Sequence, residues 1–136
     1  MNTNLQNSAA LAGRVLLALI FIISGYGKIA GYAGTAGYMA SKGVPLVGIL
    51  LPLTILVELG GGLLIAIGWK ARWVAAVIFL FLIPVTLVFH NPSGLAAGEA
   101  QQQMIQLLKN LSIMGGMLGV FAFGPGSFSI DAKNGA

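Results

Sequence analysis

The stretch LVGILLPLTILVELGGGLLIAIGWKARWVAAVIFLFLIPVTLVF, residues 46–89, contains two long apolar segments separated by a short basic turn. A helix that crosses the hydrocarbon core of a bilayer needs about 20 mostly apolar residues. The segments 46–69 and 73–89 are close to that length. Pro45 opens the first segment at a position suited to the first helical turn, and Pro84 is expected to kink the second segment. The stretch therefore predicts two membrane-spanning helices joined by a tight turn.

Two further apolar segments lie at residues 10–29 and 103–123, and the sequence GPG follows the second of them. Hydrophobic residues make up 57% of the 136 residues and charged residues only 7%. A soluble domain carries about a quarter charged residues. We therefore predict an all-α fold class, a polytopic membrane four-helix bundle forming a single domain over residues 1–136. We expect the first helix to be retained, because no basic residue precedes it and Arg14 lies inside it.

Several function classes are excluded by composition. The net charge is +4, but the seven basic residues are scattered, and a nucleic-acid surface needs a basic cluster. No cysteine is present, which excludes thiol–disulfide catalysis and cysteine-ligated metal or iron–sulfur centres. We predict no metal site and no intrinsic cofactor, and we expect the lipid bilayer, not nucleic acid, as the main partner.

The basic turn also predicts the topology. Four spans place both termini on the same side of the membrane. Lys70 and Arg72 stand between Trp69 and Trp73, and short basic loops with interfacial tryptophans favour the cytoplasmic side. We therefore predict cytoplasmic termini and place the loops 30–44 and 91–102 on the outer side.

Glu58 is the deepest ionisable residue, near the middle of the second span. A charge at that depth costs about 2.5–3.5 kcal/mol on insertion scales, so it needs a partner or a purpose. Thr54, Gly61 and Gly62 share its helix face, and small residues allow another helix to approach closely. We predict that Glu58 faces the interior of the bundle.

Basic and amide side chains are expected around this carboxylate. Lys28, His90, Gln106 and Lys109 belong to the outer half of the predicted bundle, and we expect Lys109 to lie above Glu58 and partly compensate its charge. The polar start of the fourth helix would then face a wet cavity rather than lipid. A purely structural network is the alternative, in which Lys28 snorkels to the surface and His90 is solvated.

Two other features allow more than one interpretation. Arg14 lies near the opposite end of the first span, where it either joins a functional network or snorkels to the interface. The loop 30–44 is weakly amphipathic, with Tyr32 and Met39 on one helical face. It is either a short helix lying at the membrane interface or a lid over a site between the helices.

Several sequence pieces, in this order, resemble the DoxX family of small bacterial membrane proteins over nearly the whole chain. They are GRVLLALIFIISGYGKIAGY at 13–32, SKGVP at 41–45, VELGGGLLIAIGW at 57–69, His90, and LLKNLSIMGG at 107–116, which contains Asn110. The resemblance implies a four-helix bundle in the bacterial inner membrane. One branch of the family resembles small membrane subunits of a thiosulfate:quinone oxidoreductase, and other members resemble subunits of oxidative-stress complexes or assembly factors.

Two functions follow as hypotheses. The first is a small membrane subunit of a quinone-linked oxidoreductase system, in which Lys109 and His90 donate hydrogen bonds to the quinone and Glu58 relays protons. A redox partner subunit, or a homo-oligomer, would supply the electron path. The second is a non-enzymatic protein that binds or carries a small metabolite, or assists the assembly of other membrane proteins. The candidate ligand-binding or proton-relay residues are Glu58, Lys109, His90, Lys28, Gln106, Arg14 and Asn110.

Overall fold

Four long helices account for most of the chain in the computed structural model, which describes residues 1–135. Each is long and apolar enough to cross a membrane, and no strand occurs in this part of the chain. The four helices are Thr3–Ala30, Val47–Ile67, Ala71–Phe89 and Ala97–Phe123, called here the first to fourth spans. They confirm the predicted all-α class with four membrane-spanning helices.

The helix ends differ from the predicted spans. The first span begins at Thr3 and the fourth at Ala97, because polar residues continue both helices beyond their apolar stretches. The second span begins only at Val47, after Leu46 in a left-handed conformation with φ of 52°. Pro45 therefore precedes the helix instead of standing in its first turn.

The second span is not a regular α-helix throughout. A π-helical turn occupies Leu56–Gly60 and contains Glu58. It begins four residues after Pro52, which lies inside the helix and cannot donate a backbone hydrogen bond. Such turns are rare and often lie at functional sites. The third span is helical through Pro84 without a break between Ala71 and Phe89.

The first two spans pack closely because glycines lie at their contact. A Cβ atom built on Gly25 would lie 2.7 Å from the backbone nitrogen of Leu59. A Cβ atom on Gly62 would lie 2.9 Å from Ile22 and 3.2 Å from the carbonyl oxygen of Ala18. The fourth span packs mainly on the third and only lightly on the first. The first and second spans form one helix pair and the third and fourth spans form another. The two pairs share a core formed by Ala18, Phe21, Ile65, Ala71, Ala75, Ile78, Leu82, Ile113 and Met117.

The short helix Ile130–Lys133 fastens the C-terminal segment to the turn between the second and third spans. The carboxylate of Asp131 accepts hydrogen bonds from the backbone amides of Lys70 at 2.6 Å and Ala71 at 2.9 Å. These amides begin a helix and have no partner within it, so the carboxylate caps the third span. The C-terminal segment therefore lies at the same end of the bundle as this turn and the start of the first span.

At the opposite end, the loop after the first span forms the helix Tyr32–Ser41, called here the cover helix. Met39 of this helix is buried, and the ring of Tyr38 stacks on Phe89 at the end of the third span, with 5.6 Å between ring centroids. The cover helix is thus packed against the spans rather than lying apart from them.

Candidate functional site

An ion pair between the first and second spans forms the centre of a group of polar side chains between the helices. This group, called here the polar cluster, contains Ser24, Lys28, Glu58, His90, Lys109 and Asn110. Lys28 Nζ lies 2.9 Å from Glu58 Oε1 and 3.1 Å from Glu58 Oε2, and it also donates to Ser24 Oγ at 2.8 Å. Glu58 is buried, as its position in the second span predicts. Its counter-ion, however, is Lys28 and not Lys109, and Lys28 does not snorkel away from the bundle.

The helix packing explains this correction. Gly25 brings the first span into contact with the π-helical turn that carries Glu58, and Lys28 follows Gly25 by about one helical turn. The fourth span packs on the third, so Lys109 approaches from the far side of the bundle. Sequence spacing gave the depth of these residues but not the order of the helices around the bundle.

A cavity of about 550 Å³ lies between the cover helix and the first three spans. Its walls are largely apolar and include Met39, Val85 and Phe89. Its polar groups include Lys28, Glu58 and His90. We call it the outer cavity. Its volume is within the range of small-molecule sites, which are mostly apolar with a few placed polar groups.

A second, smaller cavity of about 120 Å³ lies deeper between the spans, and we call it the inner cavity. Lys109 and Asn110 line it from the fourth span, and Lys28 and Glu58 line it from the first two. Lys109 Nζ donates a hydrogen bond to Gln106 Oε1 one turn earlier on the same helix. The fourth span therefore supplies one side of the inner cavity, whereas no residue of this span lines the outer cavity.

His90 and Asn110 both have protein partners. His90 Nδ1 lies 3.0 Å from Gln103 Oε1, and because an amide oxygen only accepts, Nδ1 is the donor in this contact and Nε2 is an acceptor in the neutral imidazole. His90 lines both cavities. Asn110 is buried and donates to Thr86 Oγ1 at 3.0 Å, which joins the third and fourth spans.

Arg14 is separate from this cluster. It is buried near the opposite end of the bundle, where its guanidinium donates to the carbonyl oxygens of Ala66, Pro125 and Phe128. The carbonyl of Ala66 would bond the amide of Lys70 in a continued helix, but that amide binds Asp131. Arg14 therefore closes the end of the second span, and it neither snorkels nor joins the cluster.

Several residues of the outer cavity are not among the site residues that the sequence predicts. Thr35 and Tyr38 come from the cover helix, and Val85 and Phe89 from the third span. An apolar residue gives no signal that distinguishes a cavity wall from a lipid contact, so Val85 and Phe89 were not recognisable. Among residues 1–135, no group of three His, Cys, Asp or Glu residues is placed to hold a metal ion.

Spans of this length, polar side chains directed inward and glycine-lined helix contacts define a small polytopic membrane protein. The sequence model of the DoxX family matches residues 9–91, which include Lys28, Glu58 and His90. The chain therefore belongs to the DoxX family.

Two relatives extend this match over the fourth span. Inner membrane protein YqjF of Escherichia coli (strain K12) is 42% identical over 127 residues, covering 93% of this chain and 92% of that protein. Inner membrane protein YphA of the same strain is 31% identical over 123 residues, covering 90% and 88%. No solved structure matches the chain. Together with the four spans, these relatives confirm the predicted multi-pass location in the inner membrane.

Proposed function

We propose that this DoxX protein is a small membrane subunit of a quinone-linked oxidoreductase system and that the outer cavity binds the quinone. The supporting observation is the combination in one cavity of apolar walls and a charged floor, the ion pair between Lys28 and Glu58. A quinone needs an apolar slot for its ring and hydrogen-bonding groups at its oxygens. The cavity lies between membrane spans, where a lipid-soluble carrier is concentrated.

The polar groups have complementary roles in this proposal. Lys28, part of the charged floor, donates a hydrogen bond to a quinone carbonyl. Nε2 of His90 accepts from a quinol hydroxyl, because its Nδ1 is directed at Gln103. Glu58 supplies one of the two protons that the quinone takes up on reduction, and it accepts that proton when the quinol is oxidised. Lys109 does not donate to the quinone in this proposal, because it lines the inner cavity and not the outer cavity.

Electrons must reach the quinone from another protein in this proposal. The chain has a single histidine and no cysteine, so a bis-histidine haem could form only between two copies and a cysteine-bound cluster not at all. We propose a redox partner subunit at the outer face, where the cover helix lies over the cavity. A homo-oligomer is the other arrangement that could supply a second histidine.

The binding test uses purified protein in a neutral detergent and a short-chain quinone analogue. A ligand that binds only the folded state raises the melting temperature. We expect stabilisation in the wild type, at least tenfold weaker binding in Lys28→Met and reduced binding in Phe89→Ala. Lys133→Met, an exposed lysine at the other end of the bundle, is the matched control. Equal stabilisation of all four proteins would reject the outer cavity as the quinone site.

The second candidate is a non-enzymatic protein that binds or carries a small anionic metabolite, or that assists other membrane proteins. It is favoured by the excess of positive charge in the cluster, where two lysines accompany one carboxylate. An analogue that fails to stabilise the protein, together with stabilisation by small organic acids, would favour this candidate.

A further inference from the structure

The polar cluster between the spans carries an unequal number of charges. Two ammonium groups, on Lys28 and Lys109, line the inner cavity with a single carboxylate, on Glu58. The chain has three acidic residues. The other two do not compensate the lysine charges, because Glu99 is exposed and Asp131 caps the third span at the opposite end of the bundle. With His90 neutral, the cluster has a net charge of +1.

Lys109 is the cation that this arrangement leaves uncompensated. Glu58 is already paired with Lys28, and this is the one salt bridge within residues 1–135. The hydrogen-bond partner of Lys109 is the neutral amide of Gln106, which satisfies one of three ammonium donors and none of the charge. Because an isolated charge inside a membrane is costly, an anion beside Lys109 would stabilise the folded protein.

The inner cavity has the size and lining that such an anion requires. Its volume of about 120 Å³ corresponds to roughly four water molecules at about 30 Å³ each. Apart from Glu58, its polar side chains include the donors Lys28, Lys109 and Ser24. The cavity therefore accepts a small anionic group with some of its water, but not a large polar molecule.

We infer that the inner cavity binds one monoanionic group, with Lys109 as its principal contact and Lys28 as the second cation. One negative charge makes the cluster neutral. The group is either a free small anion or the acid group of an amphipathic ligand whose apolar part occupies the outer cavity, since both cavities share Lys28, Glu58 and His90. The inference rests on the proposed function for the position of the ligand site, but not on the ligand being a quinone.

The experiment measures the melting temperature of the purified full-length protein in neutral detergent at constant sodium concentration. Chloride, nitrate and formate are compared with gluconate, which has the same charge on a body too bulky and polar for the cavities. We expect the small anions to raise the melting temperature and gluconate not to. Lys109→Met should weaken this response at least tenfold, and Lys133→Met should leave it unchanged. A response equal to that of gluconate, or full retention in Lys109→Met, would overturn the inference.

A second variant keeps the test decisive if Lys109→Met does not fold. Glu58→Gln removes the competing carboxylate and raises the net charge of the cluster from +1 to +2. Small anions should then bind several-fold more tightly. An unchanged or weaker response in folded Glu58→Gln would contradict an anion site.

Octanoate and octanamide separate the two sources of the anionic group. Tighter binding of octanoate than of both formate and octanamide identifies an amphipathic acid, whereas equal binding of octanoate and formate identifies a free anion. The quinone analogue is measured in parallel. Stabilisation by the analogue but not by small anions would reject this inference and leave the proposed function intact. Stabilisation by small anions but not by the analogue would reject the quinone site and leave this inference intact.

Discussion

The ion pair between Lys28 and Glu58 offers an informative perturbation, because its two side chains are unequally buried. The side chain of Glu58 is 8% exposed and that of Lys28 is 25% exposed. Lys28 also donates to Ser24, whereas Lys28 is the one hydrogen-bond partner of the Glu58 carboxylate within residues 1–135. We therefore predict that Lys28→Met destabilises the protein more than Glu58→Gln.

The expected magnitudes follow from what each substitution leaves behind. Lys28→Met strands a buried carboxylate, and removal of one partner of a buried pair costs about 3–5 kcal/mol. Uptake of a proton by an ordinary glutamate at pH 7 costs about 4 kcal/mol, which limits the loss. Glu58→Gln keeps the shape and an acceptor, and it leaves a partly exposed ammonium that still binds Ser24, so we expect about 1–2 kcal/mol.

The double variant Lys28→Met/Glu58→Gln measures the coupling of the pair. Residues in direct contact show interaction energies of about 0.5–3 kcal/mol, and we expect about 2 kcal/mol here, with the double variant more stable than Lys28→Met alone. The assay is reversible denaturation in detergent micelles, followed by helical content, with Lys133→Met as the control. Additive losses, or a larger loss for Glu58→Gln than for Lys28→Met, would refute this account of the site.

Three further predictions concern the rest of the bundle. Gly25→Ala should destabilise the protein by about 1–3 kcal/mol, because its Cβ would meet the backbone of Leu59 at 2.7 Å, whereas Gly27→Ala, with nothing within 4 Å, should not. A comparison of their melting temperatures checks this, and equal values would contradict the close helix contact. Asp131→Ala should cost about 1–2 kcal/mol by uncapping the third span, and faster proteolysis of the C-terminal segment should accompany the loss. Lys70→Cys should resist a membrane-impermeant thiol reagent in intact cells and react after lysis, and labelling in intact cells would reverse the predicted topology.

The sequence by itself determined the membrane class, the number of spans and the inward direction of Glu58. The reason is that the bilayer imposes strong one-dimensional constraints. Its thickness fixes the length of an apolar helix, and its low polarity forbids a glutamate on the lipid face. Gly61 and Gly62 beside Glu58 also predicted that another helix approaches the second span closely, because glycine has no side chain to keep a neighbouring helix away.

Only the tertiary structure decided which charge meets Glu58. Lys28 and Lys109 are similar in depth, and the choice depends on which helices are neighbours and how closely they approach. The contact of Gly25 with Leu59 and the π-helical turn around Glu58 place Lys28 within reach. The fourth span packs on the third instead and leaves Lys109 on the inner cavity.

Long-range contacts also decided the roles of Arg14 and Asp131. The sequence predicts that Arg14 either joins a functional network or snorkels to the interface, and Asp131 lies beyond the last span in a segment without apolar periodicity. The structure brings both to the turn between the second and third spans. There Arg14 binds the carbonyl of Ala66 at the end of the second span, and Asp131 binds the amides of Lys70 and Ala71 at the start of the third. Such partners come from residues more than 50 positions away, and helical periodicity carries information only about neighbours within one helix.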